Sequence, residues 1–74
     1  MWVAEVKTVS VTNDVRQIRH GLGQLLHYAA TLEYRSLRLA LVTDRSVDDP
    51  TLHGACRRAD VELVYIADLG SLAL

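Results

Sequence analysis

The sequence predicts an α/β fold, a three-layer-like βαβαβ arrangement of mostly parallel strands in a single domain spanning residues 1–74. Two observations support this prediction. Short β-rich runs alternate with segments whose apolar residues recur at helical spacing. No linker, internal repeat or low-complexity segment divides the chain. Such alternation predicts right-handed crossovers and parallel strands covered by helices.

The first predicted strand covers residues 2–9 and ends in a polar stretch. Because side chains alternate along a strand, every second residue is expected on the same face. One face then carries Val3, Glu5 and Lys7, and the other carries Trp2, Ala4 and Val6.

A helix is predicted from Val15 to about Glu33. Either Thr12 or Asn13 can serve as its N-cap, and an acid at position 14 suits the positive end of a helix. Two glycines inside the helix lower its propensity by up to about 1 kcal/mol each relative to alanine. Glycines in such positions often mark the close approach of another backbone or a ligand. They are Gly21 and Gly23.

The rest of the chain is predicted to form strand, helix and strand. Residues 37–42 form an apolar run interrupted only by Arg38, which is typical of a buried strand. An aspartate at 48 or 49 followed by Pro50 predicts the start of a helix that runs to about Ala59, since proline suits the first helical position. Residues 61–66 form the third predicted strand. The remaining residues carry no clear pattern.

Composition limits the classes of function. The net charge of −1 argues against a strongly basic nucleic-acid clamp and a polybasic membrane binder, although a local Arg/His face can still contact DNA. The single cysteine, Cys56, excludes an internal disulfide and fits a reducing compartment. No apolar run approaches the length of a membrane span, and no signal peptide is evident. A cytoplasmic protein without a membrane partner is expected.

Glu5 and Lys7 are two residues apart on a predicted strand, so their side chains leave the same face about 7 Å apart. A carboxylate can bind a hard divalent cation through its oxygen atoms. A neighbouring lysine can orient an attacking water or offset the charge of a phosphate. The pair therefore fits phosphodiester hydrolysis. A surface ion pair explains the same spacing, because such pairs are common and weak.

Five hydrogen-bonding side chains share one side of the predicted first helix. At about 100° per residue, they form a polar stripe beside the packing face. A polar stripe is usually a solvated face, but solvated faces are typically rich in Lys and Glu. This stripe carries amides, imidazoles and a phenol, which are suited to binding a ligand. Its members are Gln17, His20, Gln24, His27 and Tyr28.

Over nearly its whole length, the chain resembles the PD-(D/E)XK nuclease superfamily, most closely its restriction-endonuclease-like and RecB-type members. Glu5-Val6-Lys7 matches the (D/E)-x-K motif, and Gln24 through Tyr28 matches the Gln-x-x-x-Tyr helix motif. The resemblance implies a half core of the restriction-endonuclease-like fold, equivalent to its C-terminal part. It also implies Mg²⁺ as the cofactor and DNA as the substrate and partner.

The same resemblance assigns roles to individual residues. Glu5 would bind Mg²⁺, Lys7 would assist the nucleophilic water, and Gln24 and Tyr28 would line the site near the DNA. Contacts with DNA phosphates set position more than sequence choice. The residues expected to contact DNA are Arg16, Gln17, Arg19 and His20.

A complete core of this family also has a metal-binding acid on a preceding strand, whereas here residues 1–2 lead directly into the strand bearing Glu5. One carboxylate with waters is a weak Mg²⁺ site. We therefore expect an incomplete nuclease-like domain with little or no cleavage activity alone. It would be a fragment of a longer protein, a truncated reading frame that lost activity, or half of a site completed by a second chain.

The alternative function is a non-catalytic α/β module for dimerisation or protein docking, in which Glu5 and Lys7 form only an ion pair. An exposed first strand invites pairing with another strand, so a homodimer through this strand is the expected assembly. The two functions differ in one geometric requirement. A nuclease site needs Glu5 and Lys7 on the same side of the sheet as Gln24.

Overall fold

The structure is a computed structural model that describes residues 2–10, 12–32 and 37–71, with only the backbone described for 69–71. The predicted end of the first helix near Glu33 lies outside these residues. The α/β class and the order strand, helix, strand, helix, strand are confirmed. The elements are β1 (Trp2–Lys7), α1 (Asp14–Thr31), β2 (Arg38–Thr43), α2 (Pro50–Arg58), β3 (Val61–Tyr65) and a 3₁₀ helix (Ile66–Ser71).

Two strand ends differ from the sequence-based boundaries for identifiable reasons. β1 ends at Lys7 rather than at Val9, because the Val9 N–H donates to Asp44 Oδ1 at 2.9 Å. β3 ends at Tyr65 because the 3₁₀ helix begins at the next residue. β2 extends to Thr43, one residue past the apolar run.

The three strands form one parallel sheet in the order β1-β2-β3. In the β1–β2 register, Glu5 pairs with Leu41 and Lys7 pairs with Thr43. Parallel partners direct their side chains to the same face, so Glu5 and Lys7 share the face that carries Leu41. The burial predicted from alternation is seen from Val3 to Lys7, where residues 3, 5 and 7 are half-buried and Ala4 and Val6 are exposed. Trp2, predicted on the face of Ala4 and Val6, is also half-buried.

Both α-helices pack on one face of the sheet. Right-handed crossovers between strands that are neighbours in both sequence and space place successive helices on the same side. A single apolar cluster accordingly joins the two helices to β2 and β3. Burial of this cluster is the main stabilising term for a chain of this length. Its buried members are Val9, Ile18, Leu25, Leu39, Leu41, Val47, Leu52, Cys56 and Val61.

The two helices begin differently. Asp49 is the N-cap of α2, where its side chain accepts a hydrogen bond from the Thr51 N–H at 2.8 Å, and Pro50 occupies the first helical position. This start matches the sequence prediction. Asn13 is the N-cap of α1, but its side chain accepts from the Ser10 N–H at 2.6 Å and makes no bond to the helix. Asn13 therefore occupies the N-cap position, but its side chain stabilises the preceding turn instead of bonding to the helix.

Candidate functional site

Glu5 and Lys7 lie on the face of β1 that is covered by α1. Lys7 Nζ lies 3.7 Å from Glu5 Oε1, and both side chains are partly buried, with 14% and 27% of the Lys7 and Glu5 side chains exposed. Lys7 is also the only lysine in the chain. A partly buried ion pair is screened less by solvent than a fully exposed one. The structure therefore concentrates a carboxylate and an ammonium group beneath the first helix.

Gly21 is the point at which α1 contacts this part of the sheet. A Cβ atom on Gly21 would lie 2.6 Å from Leu41 Cδ1 and 3.1 Å from Lys7 Cγ. Only a residue without a side chain permits this approach. Gly21 is therefore a point of close approach, but the approaching atoms belong to side chains of β1 and β2 and not to another backbone or a ligand. Gly23 differs, because a Cβ atom there would meet nothing within 4 Å.

His20 contacts the end of the lysine side chain. Lys7 Nζ lies 3.2 Å from His20 Nδ1. An ammonium group can only donate hydrogen bonds, so Nδ1 accepts and carries no proton in this arrangement. The sequence placed His20 among the residues expected to contact DNA. The structure gives it a contact with the candidate catalytic lysine.

Gln24 lies one helical turn beyond His20. The four residues from His20 to Gln24 advance about 6 Å along α1, which is close to the advance of about 6.6 Å between Lys7 and Glu5 along β1. Since α1 runs antiparallel to β1, Gln24 is level with Glu5 in the same way that His20 is level with Lys7. Gln24 is therefore on the same side of the sheet as Glu5 and Lys7.

The amide oxygen of Gln24 is buried and has no hydrogen-bond partner within the described part of the chain. Buried acceptors are normally paired, and leaving one unpaired costs about 1–3 kcal/mol. An acceptor in this state can receive a bond from a bound water or bind a cation.

The other residues expected in the site lie further out. The Tyr28 side chain is 58% exposed, one further turn along α1. Gln17 is half-buried, and Arg16 and Arg19 are exposed on the helix surface. The structure thus joins Glu5, Lys7 and His20 through contacts of Lys7, while Gln24 lies on the same side of the sheet and the remaining predicted residues lie further out on α1.

Two side chains of the candidate site, one on β1 and one on α1, carry oxygen atoms of the kind that Mg²⁺ binds. Glu5 and Gln24 offer hard oxygen atoms, and Mg²⁺ is commonly held by one or two carboxylates together with waters and substrate phosphates. Within residues 2–10, 12–32 and 37–71, no group of three or more His, Cys, Asp or Glu side chains is arranged to hold a metal ion. Any Mg²⁺ bound here would therefore depend on waters and phosphate oxygens for most of its ligands.

Sequence reasoning missed the role of Asp44. This residue follows β2 directly, and its carboxylate accepts the Val9 N–H at 2.9 Å. It joins the segment after β1 to the segment after β2 at the carboxyl edge of the sheet, where ligands bind in open α/β folds. The sequence signal that could have identified Asp44 is the position of an acid directly after a buried parallel strand.

A second concave surface lies between α2 and β3, away from β1. Its volume is about 310 Å³, and its lining includes His53, Arg57 and Asp60. Cys56 also borders it, but only 1% of this residue is exposed, and burial raises the pKa of its thiol. The prediction that Cys56 is a buried thiol is confirmed. A protonated thiol is a poor nucleophile, so this surface lacks an activated group.

Comparisons of the chain with protein-family models, with curated proteins and with solved structures found no match. None of the helices in the described residues has the length and apolar character needed to cross a bilayer. Function is therefore inferred from the geometry of the group around Glu5 and Lys7.

Proposed function

We propose that this chain is a PD-(D/E)XK-type nuclease core that supports Mg²⁺-dependent hydrolysis of DNA phosphodiester bonds and is incomplete as a single copy. The observation that supports the proposal is the pairing of Glu5 with Lys7 on the face of the sheet that α1 covers, with Gln24 on the same side of the sheet.

Each residue has a distinct task in this proposal. Glu5 provides the carboxylate that binds the cation, and Mg²⁺ when bound would offset phosphate charge and favour ionisation of water. Lys7 holds positive charge where the phosphate enters. Gln24 Oε1 would accept a hydrogen bond from the attacking water and so help to fix its position. His20 accepts a hydrogen bond from Lys7 and limits the positions that the ammonium group can occupy.

DNA would lie along the exposed side of α1. Arg16 and Arg19 are exposed there, and each can neutralise one phosphate. Tyr28 and Gln17 offer hydrogen bonds at the margin of the same surface. The proposal therefore requires binding that weakens with salt and that depends on arginines of α1 rather than on those of α2.

The first test is DNA binding by fluorescence anisotropy across a salt series, with and without Mg²⁺. Arg16→Ala and Arg19→Ala should each weaken binding and reduce the slope of log K against log salt by about 1. Arg57→Ala and Arg58→Ala are matched controls, because these exposed arginines lie in the last turn of α2 and should leave the slope unchanged. Equal losses in all four variants would contradict a site on α1.

The catalytic part of the proposal is tested by Glu5→Gln, which keeps the shape of the side chain and removes its charge. Mg²⁺ should strengthen DNA binding by the natural chain and have little effect on this variant. Cleavage by the natural chain should be very slow or undetectable, because a single carboxylate serves the site. Rapid Mg²⁺-dependent cutting that Lys7→Ala abolishes would show that the site is complete without any further group.

The alternative, a non-catalytic interaction module, is favoured by a different observation. The 3.7 Å pair between Glu5 and Lys7 already neutralises the carboxylate. In that case Mg²⁺ would not change DNA binding, and Glu5→Gln would alter the stability of the fold without altering any response to Mg²⁺.

A further inference from the structure

β1 is an edge strand of the sheet. Among the residues that the structure describes, it pairs with β2 alone, so its outer edge presents main-chain groups to its surroundings. On the face away from the helices, Val6 is 62% exposed and Ala4 is also exposed. An edge strand with exposed apolar side chains and no proline is a template for pairing with another strand. The composition of β1 indicates which strand would pair with it.

We propose that two copies of this chain pair through β1, antiparallel and about a two-fold axis, with Val6 opposite the partner's Val6. In this register Glu5 lies opposite the partner's Lys7, and Lys7 lies opposite the partner's Glu5. Opposite charges directly across an antiparallel pair stabilise it, and like charges destabilise it. One register therefore satisfies both charge pairs and covers the exposed valine.

The side chains keep their faces in this arrangement. A two-fold axis perpendicular to a sheet leaves each side chain on its original side, as an isologous interface requires. The four charged groups of the two copies then alternate in sign on the helix-covered face. Each Lys7 contacts its own Glu5 along the strand and the partner's Glu5 across it.

The other edge of the sheet lacks this complementarity. A two-fold pairing of β3 about Leu63 would set Glu62 opposite the partner's Val64, and each acid would lack a basic partner. The 3₁₀ helix also contacts β3 directly after its last residue. The cross-strand charge pairs and the 3₁₀ helix next to β3 therefore both favour β1 over β3 as the strand that pairs with a second copy.

The helices allow the same pairing. α1 contacts both β1 and β2. With strands about 4.8 Å apart, the two α1 helices would lie about 10 Å apart, close to the usual distance for packed helices. His20 and Gln24 lie on the β1 side of α1 and would border the cleft between the two helices.

This pairing would change the number of carboxylates near each Lys7. The importance of that change for the candidate site depends on the proposed function. The partner's Glu5 would be a diagonal neighbour of Glu5, with about 7–8 Å between their backbones, which is within reach of long side chains. Each dimer would contain two carboxylates beside each Lys7. A second copy of the chain would thereby place a second carboxylate near each candidate site.

The test measures mass by sedimentation velocity, without DNA or Mg²⁺, so it can fail while the proposed function stands. The natural chain should sediment as a dimer. Glu5→Lys and Lys7→Glu each place like charges across both pairs and should raise the dimer dissociation constant about tenfold or more. An equimolar mixture of the two variants, and the double variant E5K/K7E, should recover the dimer. Glu62→Lys is the matched charge reversal on β3 and should remain dimeric.

Recovery in the mixture also shows that both single variants can fold. If the natural chain remains monomeric at its highest soluble concentration, the proposal that β1 pairs with a second copy is overturned. A dimer that survives Glu5→Lys, or a mixture that remains monomeric, would overturn the register. Loss of Mg²⁺-dependent DNA binding with an intact dimer would overturn only the proposed function.

Discussion

At the scale of single residues, the candidate site depends on the absence of a side chain at position 21. Gly21 lets α1 approach until Lys7 Cγ and Leu41 Cδ1 fill the space that a Cβ atom would occupy. The same approach brings His20 to 3.2 Å from the lysine nitrogen. The position of Lys7 is thus fixed by packing along its alkyl chain and by a hydrogen bond at its tip.

The two glycines of α1 give a direct test of this contact. Gly23→Ala should raise the free energy of unfolding by up to about 1 kcal/mol, because helix propensity improves without a clash. Gly21→Ala should lower it by about 1–2 kcal/mol, since overpacking against fully buried Leu41 outweighs the same propensity gain. Urea unfolding followed by circular dichroism measures both. Equal stabilisation by the two variants would contradict the close approach.

Cys56 permits a second test at this scale. Its pKa is raised by burial, so the folded protein favours the neutral thiol. Alkylation by iodoacetamide should therefore be slower in the folded chain than in urea, by about tenfold for each unit by which the pKa rises. The difference should be measured by mass spectrometry at mildly alkaline pH.

The same shift sets a dependence of stability on pH. Because the folded pKa of Cys56 lies above the unfolded value, its contribution is fully present below the unfolded pKa and is lost as pH rises through the folded pKa. Cys56→Ala should lack this alkaline component. Rapid alkylation of the folded chain would show that the thiol is accessible and would remove the basis for both expectations.

At the scale of elements, the two helices depend on different interactions. α2 is only nine residues long and has a side-chain cap at Asp49 and basic residues in its last turn. Isolated helices of this length are marginal, so local caps make a large relative contribution. α1 has 18 residues and no side-chain cap bond. The stability of α1 comes from the apolar side that packs on the sheet. The same packing brings α1 into contact with Lys7.

The cap of α2 can be tested by Asp49→Ala. Loss of the 2.8 Å bond to the Thr51 N–H should cost about 1 kcal/mol of folding free energy. Asp48→Ala is the matched control, because this neighbouring acid is exposed and its change should stay within about 0.5 kcal/mol. Chemical denaturation of both variants gives the comparison. A similar loss in the control would indicate that general charge, and not the cap, stabilises the start of α2.

At the scale of the whole molecule, the order β1-β2-β3 has two consequences. It places both helices on one face, where they form a single core. It also leaves the strand that carries Glu5 and Lys7 at the edge of the sheet. A site on an edge strand can be shared with a second copy, which a site on a central strand cannot. The proposed function and the proposed dimer therefore follow from the same topology.

Several features of the chain were accessible from local sequence. Period-two alternation placed Glu5 and Lys7 on a common face, helical spacing predicted the first helix, and Asp49 with Pro50 marked the start of α2. Each of these depends on residues that are close together along the chain. Such patterns determine the elements and their buried sides.

Other features were decided only by the tertiary structure. The Lys7–His20 contact, the buried Gln24 oxygen and the Val9–Asp44 bond join segments that are 13 or more residues apart or depend on their packing. The first two are set by how α1 packs on the sheet where Gly21 meets Leu41, and the third by the pairing of β1 with β2. No local pattern encodes either arrangement. By itself, the sequence determined the βαβαβ order and the shared face of Glu5 and Lys7. The helix-to-sheet packing decided which groups surround them.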